Sequence, residues 1–320
     1  MALPTKIKTW QYNVNQTLSG TTPATNTANV LFGIASSMWG FATLPWIHWG
    51  SCNGATFNNN VASPNKWVSA ANVVKNSYMV LENPKNGMQV CLHLVNDNPY
   101  TGTFAVSLGG AFGSVGSGGT GTDGSLTNRP TAGDELVFLN NTAFGTGLFV
   151  TTYRLHVQHS TDGACTRVVL YLSTVPIHMW IFDEVSNPIP GFTLPVAGIQ
   201  VSDNSTSRCT YGIWNDNANM YGRIGGTNFA MYMTCEGAVT STVGEQATFA
   251  DDDTGEWPIM PIGLLSTSGS HRGRKGALYD LWWGSTAAGN GNTYPDDASK
   301  TFAQFGHLVF PWNGTTPGIS

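Results

Sequence analysis

Trp10, Tyr12 and Val14 alternate with Gln11, Asn13 and Asn15, and this period of two predicts a half-exposed strand over residues 9–18. The polar, turn-rich residues 19–27 follow, so residues 1–23 read as an extended N-terminal arm, suited to adding a strand to the sheet edge of a neighbour. The period then changes. Leu31, Ile34, Met38 and Phe41 recur at three- and four-residue spacing behind the caps Asn26 and Thr27, which predicts one short helix over residues 28–41, ended by Gly40 and Pro45.

Beyond the helix the pattern is β. Two apolar runs, residues 78–81 and 88–95, flank Glu82-Asn83-Pro84-Lys85-Asn86-Gly87, whose residue types favour bends and positive φ. A second hairpin is predicted from residues 154–158 and 165–172 around Asp162-Gly163, followed by a strand over residues 175–182. Further strands are expected at 135–139, 148–152, 208–213, 229–234, 278–283 and 307–310, while the Gly/Ser/Thr-rich residues 107–128 read as a long loop or contact arm. Short strands at this spacing imply a mainly β, antiparallel sandwich or jelly-roll-like fold. Residues 24–320 are taken as one β-rich domain, and a composition shift near Asp251 offers a sub-lobe edge from about residue 250.

Composition changes the picture from fold to partner. Only 10% of the 320 residues are charged and residues 9–65 hold no Asp, Glu, Lys or Arg, yet aromatic residues make up 11%. A surface so poor in charge and rich in rings fits burial against neighbours, with Asn, Thr and Ser supplying neutral hydrogen bonds at the rim. The net charge of −5 gives no positive field for tracking phosphates, so nucleic acid is an unsuited partner. Five cysteines without a Cys-x-x-Cys pair suggest buried thiols rather than a disulfide framework or zinc knuckle. The apolar residues 30–47 are broken by Gly33, Gly40 and Pro45 and lack flanking cations, which argues against a membrane span, and Lys6 and Lys8 lie too far from that run for a signal peptide.

The motifs that could carry chemistry are weak. Gly116-Ser117-Gly118-Gly119-Thr120-Gly121 fits a dinucleotide fingerprint in letters, but Thr122-Asp123-Gly124-Ser125 cannot open the helix that would hold a pyrophosphate. His156 and His159 stand three apart in a strand and so face opposite ways, which reads as partnered strand histidines rather than a metal pair. Asp183 and Glu184 are strand neighbours, also on opposite faces, and do not make a glycosidase pair. No catalytic residue, metal ligand or cofactor is assigned, and the chain is read as no enzyme.

Assembly residues are assigned instead. Trp10, Tyr12, Val14, Trp46, Trp49, Trp282, Trp283 and Trp312 are the candidate anchors, because each aromatic buries a large area and such side chains are enriched at contacts. The basic run Arg272, Arg274 and Lys275 is paired with the acidic loop Asp251, Asp252 and Asp253 of an adjacent copy.

Several stretches together resemble a known group. The start Met1-Ala2-Leu3-Pro4-Thr5-Lys6-Ile7-Lys8-Thr9-Trp10, the segment Gly40-Phe41-Ala42-Thr43-Leu44-Pro45-Trp46, and the hairpin His159-Ser160-Thr161-Asp162-Gly163-Ala164-Cys165-Thr166-Arg167-Val168-Val169 are among them. Leu278-Tyr279-Asp280-Leu281-Trp282-Trp283-Gly284, Tyr294-Pro295, Phe305-Gly306 and Pro311-Trp312-Asn313-Gly314 complete the set. In these stretches the chain resembles a family encoded among the structural genes of tailed bacteriophages and prophages. The resemblance implies a head-decoration, neck, collar or tail component, made in the bacterial cytoplasm, located in the virion, and partnered by its own copies and other virion proteins. The alternative is a carbohydrate-binding, host-recognition module on a tail fibre or baseplate that presents tryptophan faces to a glycan.

Overall fold

In a computed structural model the chain is described over residues 5–18, 23–52, 56–58, 67, 69–74, 77–87, 89–94, 102–107, 120–122, 136–139, 153–171, 177–186, 196–203, 231–235, 260–266, 273–293 and 299–313. In chain order the elements are β1 (Trp10–Leu18), α1 (Pro23–Trp39), β2 (Ile47–Cys52), β3 (Thr56–Asn58), β4 (Tyr78–Glu82), β5 (Gln89–His93), β6 (Gly102–Ser107), β7 (Thr120–Thr122) and β8 (Leu136–Leu139). There follow β9 (Tyr153–Ser160), β10 (Cys165–Tyr171), β11 (Ile177–Ser186), β12 (Val196–Asp203), β13 (Met231–Cys235), β14 (Met260–Ser266), β15 (Gly273–Thr293) and β16 (Phe302–Pro311). The described residues are thus mainly antiparallel β-sheet with one short α-helix. They divide into two compact units, one of residues up to Tyr12 and from Cys165 onward, the other of residues from Asn13 to Ala164.

The unit from Asn13 to Ala164 carries a seven-stranded sheet in the order β7-β3-β2-β4-β5-β6-β8, every neighbouring pair antiparallel. The expected hairpin is β4–β5, in register from Tyr78 opposite His93 to Glu82 opposite Gln89. Its turn closes as the residue types require: the Asn83 side chain accepts from the Lys85 N–H at 2.8 Å, Gly87 takes φ +72°, and its N–H reaches the Asn83 carbonyl at 2.9 Å. Asn83 also donates through Nδ2 to the Gly163 carbonyl at 3.0 Å, joining this turn to the one after β9. That second turn has Ser160 Oγ donating to Asp162 Oδ1 at 2.6 Å and Gly163 at φ +76°. That positive φ selects glycine at 163, whereas the nearest atom a Cβ there would meet is the end of the exposed Leu44 side chain, Cδ1 at 2.8 Å.

The helix begins at Pro23, five residues before the expected start, and stops at Trp39 instead of Phe41. A proline at the first helical position loses no hydrogen bond and arrives with its φ already set, a signal that outweighs the polar Thr and Asn residues after it. Its Val30, Leu31, Ile34, Ala35 and Met38 are fully buried and it packs on β5 and β9. At its end the chain doubles back and the Trp46 N–H satisfies the Met38 carbonyl at 3.1 Å.

Within this unit His156 and His159 of β9 are both buried, and neither joins a metal cluster among the described residues. His159 lies with Nε2 3.1 Å from the Leu44 carbonyl, to which it donates, and stacks on Phe41 at 4.7 Å. Burial pushes His156 down from 6.5 to about 3, so it is neutral in the fold while its unfolded form takes a proton below about 6.5. Its contribution to stability is therefore whole above pH 6.5 and declines as pH falls toward 3. From pH 7 to pH 5 the loss is ~2 kcal/mol, at about 1.4 kcal/mol per unit. Urea unfolding at the two pH values, in wild type and His156→Gln, measures it; an unchanged pH slope in the variant would contradict it.

The other unit contains the path β10-β11-β15-β14-β13, with β12 also on β11 and β16 also on β15, again all antiparallel. β10 is buried at every position, so its apolar run reflects cover on both faces rather than the alternation of a half-exposed strand. The core of the unit is aromatic: Phe305 stacks on Phe310 at 5.1 Å, meets Trp312 at 5.2 Å, and receives the edge of Tyr171 at 4.7 Å.

Other expectations meet the structure unevenly. β8, β13, β15 and β16 match expected strands, with β15 and β16 longer than foreseen. Thr120–Thr122, placed in the Gly/Ser-rich loop, is strand β7 paired with β3. Strands expected at 148–152 and 208–213 lie outside the described residues. Within residues 1–23, read as an arm, β1 is next to β9 in a sheet of the chain itself. Cys91 and Cys165 are buried thiols outside any disulfide, as the composition suggested.

Candidate functional site

The densest arrangement of charge in the described residues is built in the unit that holds β10, β11 and β15. On β10, in the otherwise uncharged strand Cys165–Tyr171, stands Arg167, opposite Ile181 of β11 and hence diagonal to Asp183. Side chains at that diagonal share a face. Arg167 Nη2 and Nε donate to Asp183 Oδ2 at 2.7 and 3.1 Å, with both side chains wholly buried.

β15 supplies the other half through an irregularity. Ala277 opposes Gly263 and Trp282 opposes Pro261, so five steps along β15 face two along β14, and three residues within 278–281 are extra. Within that bulge Asp280 takes φ +48°, a left-handed conformation that aspartate tolerates better than most residues. The bulge turns the carbonyls of Tyr279 and Asp280 toward Arg167, which donates to both, through Nη1 at 2.8 Å in the case of Asp280. The Asp280 carboxylate faces the N-terminal segment. Oδ1 accepts the Ile7 N–H at 2.7 Å, and Oδ2 accepts the Lys8 N–H and the Trp10 indole N–H, both at 2.8 Å. The guanidinium of Arg167 lies 4.5 Å from the centre of the Trp10 ring, closing the network by a cation–π contact.

Electrostatics follow burial. Desolvation raises Asp183 from 3.8 to about 6, with the Arg167 charge and hydrogen bonds pulling the other way. Burial likewise pushes the Tyr12 hydroxyl above its ordinary range, so it stays a neutral phenol. Asp183, weighed above with Glu184 as an acid–base pair, has its carboxylate committed to Arg167.

Outside this network, but on the same N-terminal segment, is an open pocket of about 530 Å³. One wall is the backbone that Asp280 holds, with Lys6, Lys8, Trp10 and Tyr12; the other is the turn before β16, with Lys300 and Thr301, and the residues after it. Lys8 Nζ sits 4.2 Å over the Tyr279 ring and Lys6 Nζ 5.9 Å over Phe302.

Among the expected anchors whose side chains are described, all but Tyr12 are interior. Trp10 and Trp282 are 8% exposed, and Trp46 and Trp312 are 2% exposed, so their rings are covered by their own chain. Trp282 packs edge-on to Phe302 at 5.4 Å in a cluster with Val309. Tyr12 is half-buried at the pocket. Val14, Trp49, Trp283, Arg274 and Lys275 lie on strands β1, β2 and β15, with side chains outside the described residues, as are Arg272 and Asp251, Asp252 and Asp253 altogether. The structure therefore brings Trp10, Tyr12 and Trp312 to one pocket. Sequence reading missed Arg167 and Asp280, although a lone cation and a lone carboxylate inside apolar strands are the signal for a buried, partnered charge.

No protein-family model matches the chain, and neither a curated protein nor a solved structure does. No helix among the described residues is long and apolar enough to cross a membrane.

Proposed function

We propose that this chain is a structural subunit of a tailed-phage virion, in the head decoration, neck, collar or tail, and that it acts by assembling with its own copies and other virion proteins. The observation that carries this reading is where the resembling stretches fall. Trp10 from the first, Arg167 from the central hairpin and Asp280 from the stretch that begins at Leu278 meet in one buried network. Phe305 and Trp312, from the last two, meet in the aromatic core. Residues that stabilise an architecture are what a family of assembly proteins has reason to share. The low charge fraction supports the same reading, because wide surfaces can then be covered at small desolvation cost.

Burial changes the mechanism expected from sequence. Trp46, Trp282 and Trp312 are already buried in their own chain, and Ile7, Lys8 and Trp10 are tied to Asp280, so donation of the N-terminal strand to a neighbour is not the basis of the proposal. Contacts between copies fall to other surfaces, among them the basic Arg272, Arg274 and Lys275 against the acidic Asp251, Asp252 and Asp253. The sandwich or jelly-roll arrangement suggested by strand spacing is part of the same proposal. Quantitative mass analysis of gradient-purified particles tests it. The expected result is this chain at a fixed copy number in multiples of the particle symmetry, retained through a high-salt wash. Particles that lack it would overturn the reading.

A further inference from the structure

We propose that the pocket between the N-terminal segment and the turn before β16 binds a small oxyanion on a hydroxyl-rich molecule, of the class of a sugar acid or sugar phosphate. The pocket concentrates a charge the rest of the chain avoids. Three of the 14 Lys and Arg residues line it, namely Lys6, Lys8 and Lys300, and no carboxylate does among the described residues, in a chain whose net charge is −5. Lys6 and Lys8 stand two apart on the segment that Asp280 holds, whereas Lys300 comes from nearly three hundred residues further on. The fold, not a local run of charge, creates the cluster. Behind the wall Arg167 adds a fourth cation, against which stand Asp183 and Asp280, so among the described residues four positive and two negative groups leave two positive charges.

The walls are built rather than incidental. Asp280 fixes the backbone of Ile7 and Lys8 through two charge-assisted hydrogen bonds, and the indole of Trp10 through a third. On the far side the Trp312 N–H bonds the Thr301 carbonyl at 2.7 Å, and Ser299 Oγ donates to Thr301 Oγ1 at 3.2 Å. Between these two lies Lys300 at φ +58°, a conformation that lysine rarely adopts and that persists where the surroundings impose it. Asp280, which holds one wall, and Lys300, on the other, are two of the three non-glycine residues with positive φ among those described. Lys300 carries its positive φ in one wall, Asp280 carries its own where it holds the other, and three lysines line the space between, the arrangement a preorganised anion site requires.

Size and lining select the ligand class. A volume of about 530 Å³ suits a molecule of one or two sugar rings. Ammonium groups act as point charges for carboxylate or phosphate oxygens, while Ser299, Thr301 and Asn313 offer hydroxyl and amide partners to ligand hydroxyls. Trp10 and Trp312 turn little surface to solvent, so the site is built for charge and hydrogen bonding more than for stacking a ring on an open aromatic face.

The test is calorimetric titration of the full chain at low salt with glucuronate, inorganic phosphate and, as the neutral probe, glucose. The expected result is saturable binding of glucuronate, phosphate or both with Kd below about 5 mM, weakening as salt rises, and no saturation by glucose. Glucuronate alone would identify the carboxylate source, and phosphate alone the phosphate source. Lys6 and Lys300 are exposed, so Lys6→Gln/Lys300→Gln folds, which a thermal melt checks, and it is expected to bind at least tenfold more weakly. Lys300→Glu is the second variant and loses binding further. Failure of both anions to saturate by about 20 mM, glucose binding as well as glucuronate, or unchanged affinity in both variants would each overturn the proposal.

Discussion

Asp183→Ala destabilises its unit by ~3–5 kcal/mol in chemical denaturation at pH 7, the cost of leaving Arg167 buried and uncompensated. The ion pair itself is not the source of that number. Arg167 and Asp183 are both wholly buried, and burial holds the Asp183 carboxyl at about 6, which means that desolvation outweighs the attraction of the guanidinium. Removing both charges at once, as in Arg167→Met/Asp183→Leu, is therefore expected to cost less than Asp183→Ala alone, with a coupling of at least ~2 kcal/mol in the double-mutant cycle. Some cost remains, since Arg167 also serves the carbonyls of Tyr279 and Asp280 and covers the Trp10 ring. The pH dependence has a fixed sign. A carboxyl raised from 3.8 to about 6 binds its proton more tightly when folded, so its favourable contribution is whole below pH 4 and is lost as pH rises through 6. That slope opposes the one from His156, and each disappears with its own variant. Equal stabilities of the single and the double variant would refute the stranded-charge account.

What the sequence makes legible here is set by how local the cause is. The two hairpins are written in short range: Asn83 and Gly87, or Asp162 and Gly163, specify a turn whatever surrounds them, and both close as expected. The helix is legible by its apolar period, but its start is not, because Pro23 belongs to a stretch whose Thr and Asn residues look like a linker. The strands β2, β3, β6, β7, β12 and β14 went unsignalled for a related reason. Their residues are small or mixed, and hydrogen bonding to neighbouring strands, not their own pattern, makes them strands. The tryptophans show the limit most clearly. Large rings predict a large buried area but not whose surface buries it, and Trp46 and Trp312 are covered by their own chain. The network and the pocket rest on pairs more than one hundred residues apart, Arg167 with Asp280 and Lys8 with Lys300, and no local period encodes such a pairing.

Asp280→Ala carries the other large effect, and it reads out on the N-terminal segment rather than on the pair it neighbours. The substitution removes three acceptor contacts at once. It leaves the buried Trp10 indole N–H without a partner, frees the N–H groups of Ile7 and Lys8, and puts alanine at φ +48°. An unsatisfied buried donor costs ~1–3 kcal/mol, the lost bonds to a charged acceptor add to it, and the left-handed conformation costs alanine ~1 kcal/mol more, so a total of ~3–5 kcal/mol is expected. Asp280→Asn separates these contributions, because asparagine tolerates the backbone and keeps one carbonyl oxygen for Lys8 and Trp10 while its amide group opposes the Ile7 N–H. It should recover about half of the loss. Limited trypsin digestion follows the segment directly. Lys6 and Lys8 lie on backbone that Asp280 holds, so cleavage there should be slow in wild type, at least tenfold faster in Asp280→Ala, and intermediate in Asp280→Asn. The same release dismantles one wall of the lysine pocket, and Asp280→Ala should lose anion binding although every lysine is still present. Unchanged cleavage at Lys6 and Lys8 would show that the segment is held by something other than this carboxylate.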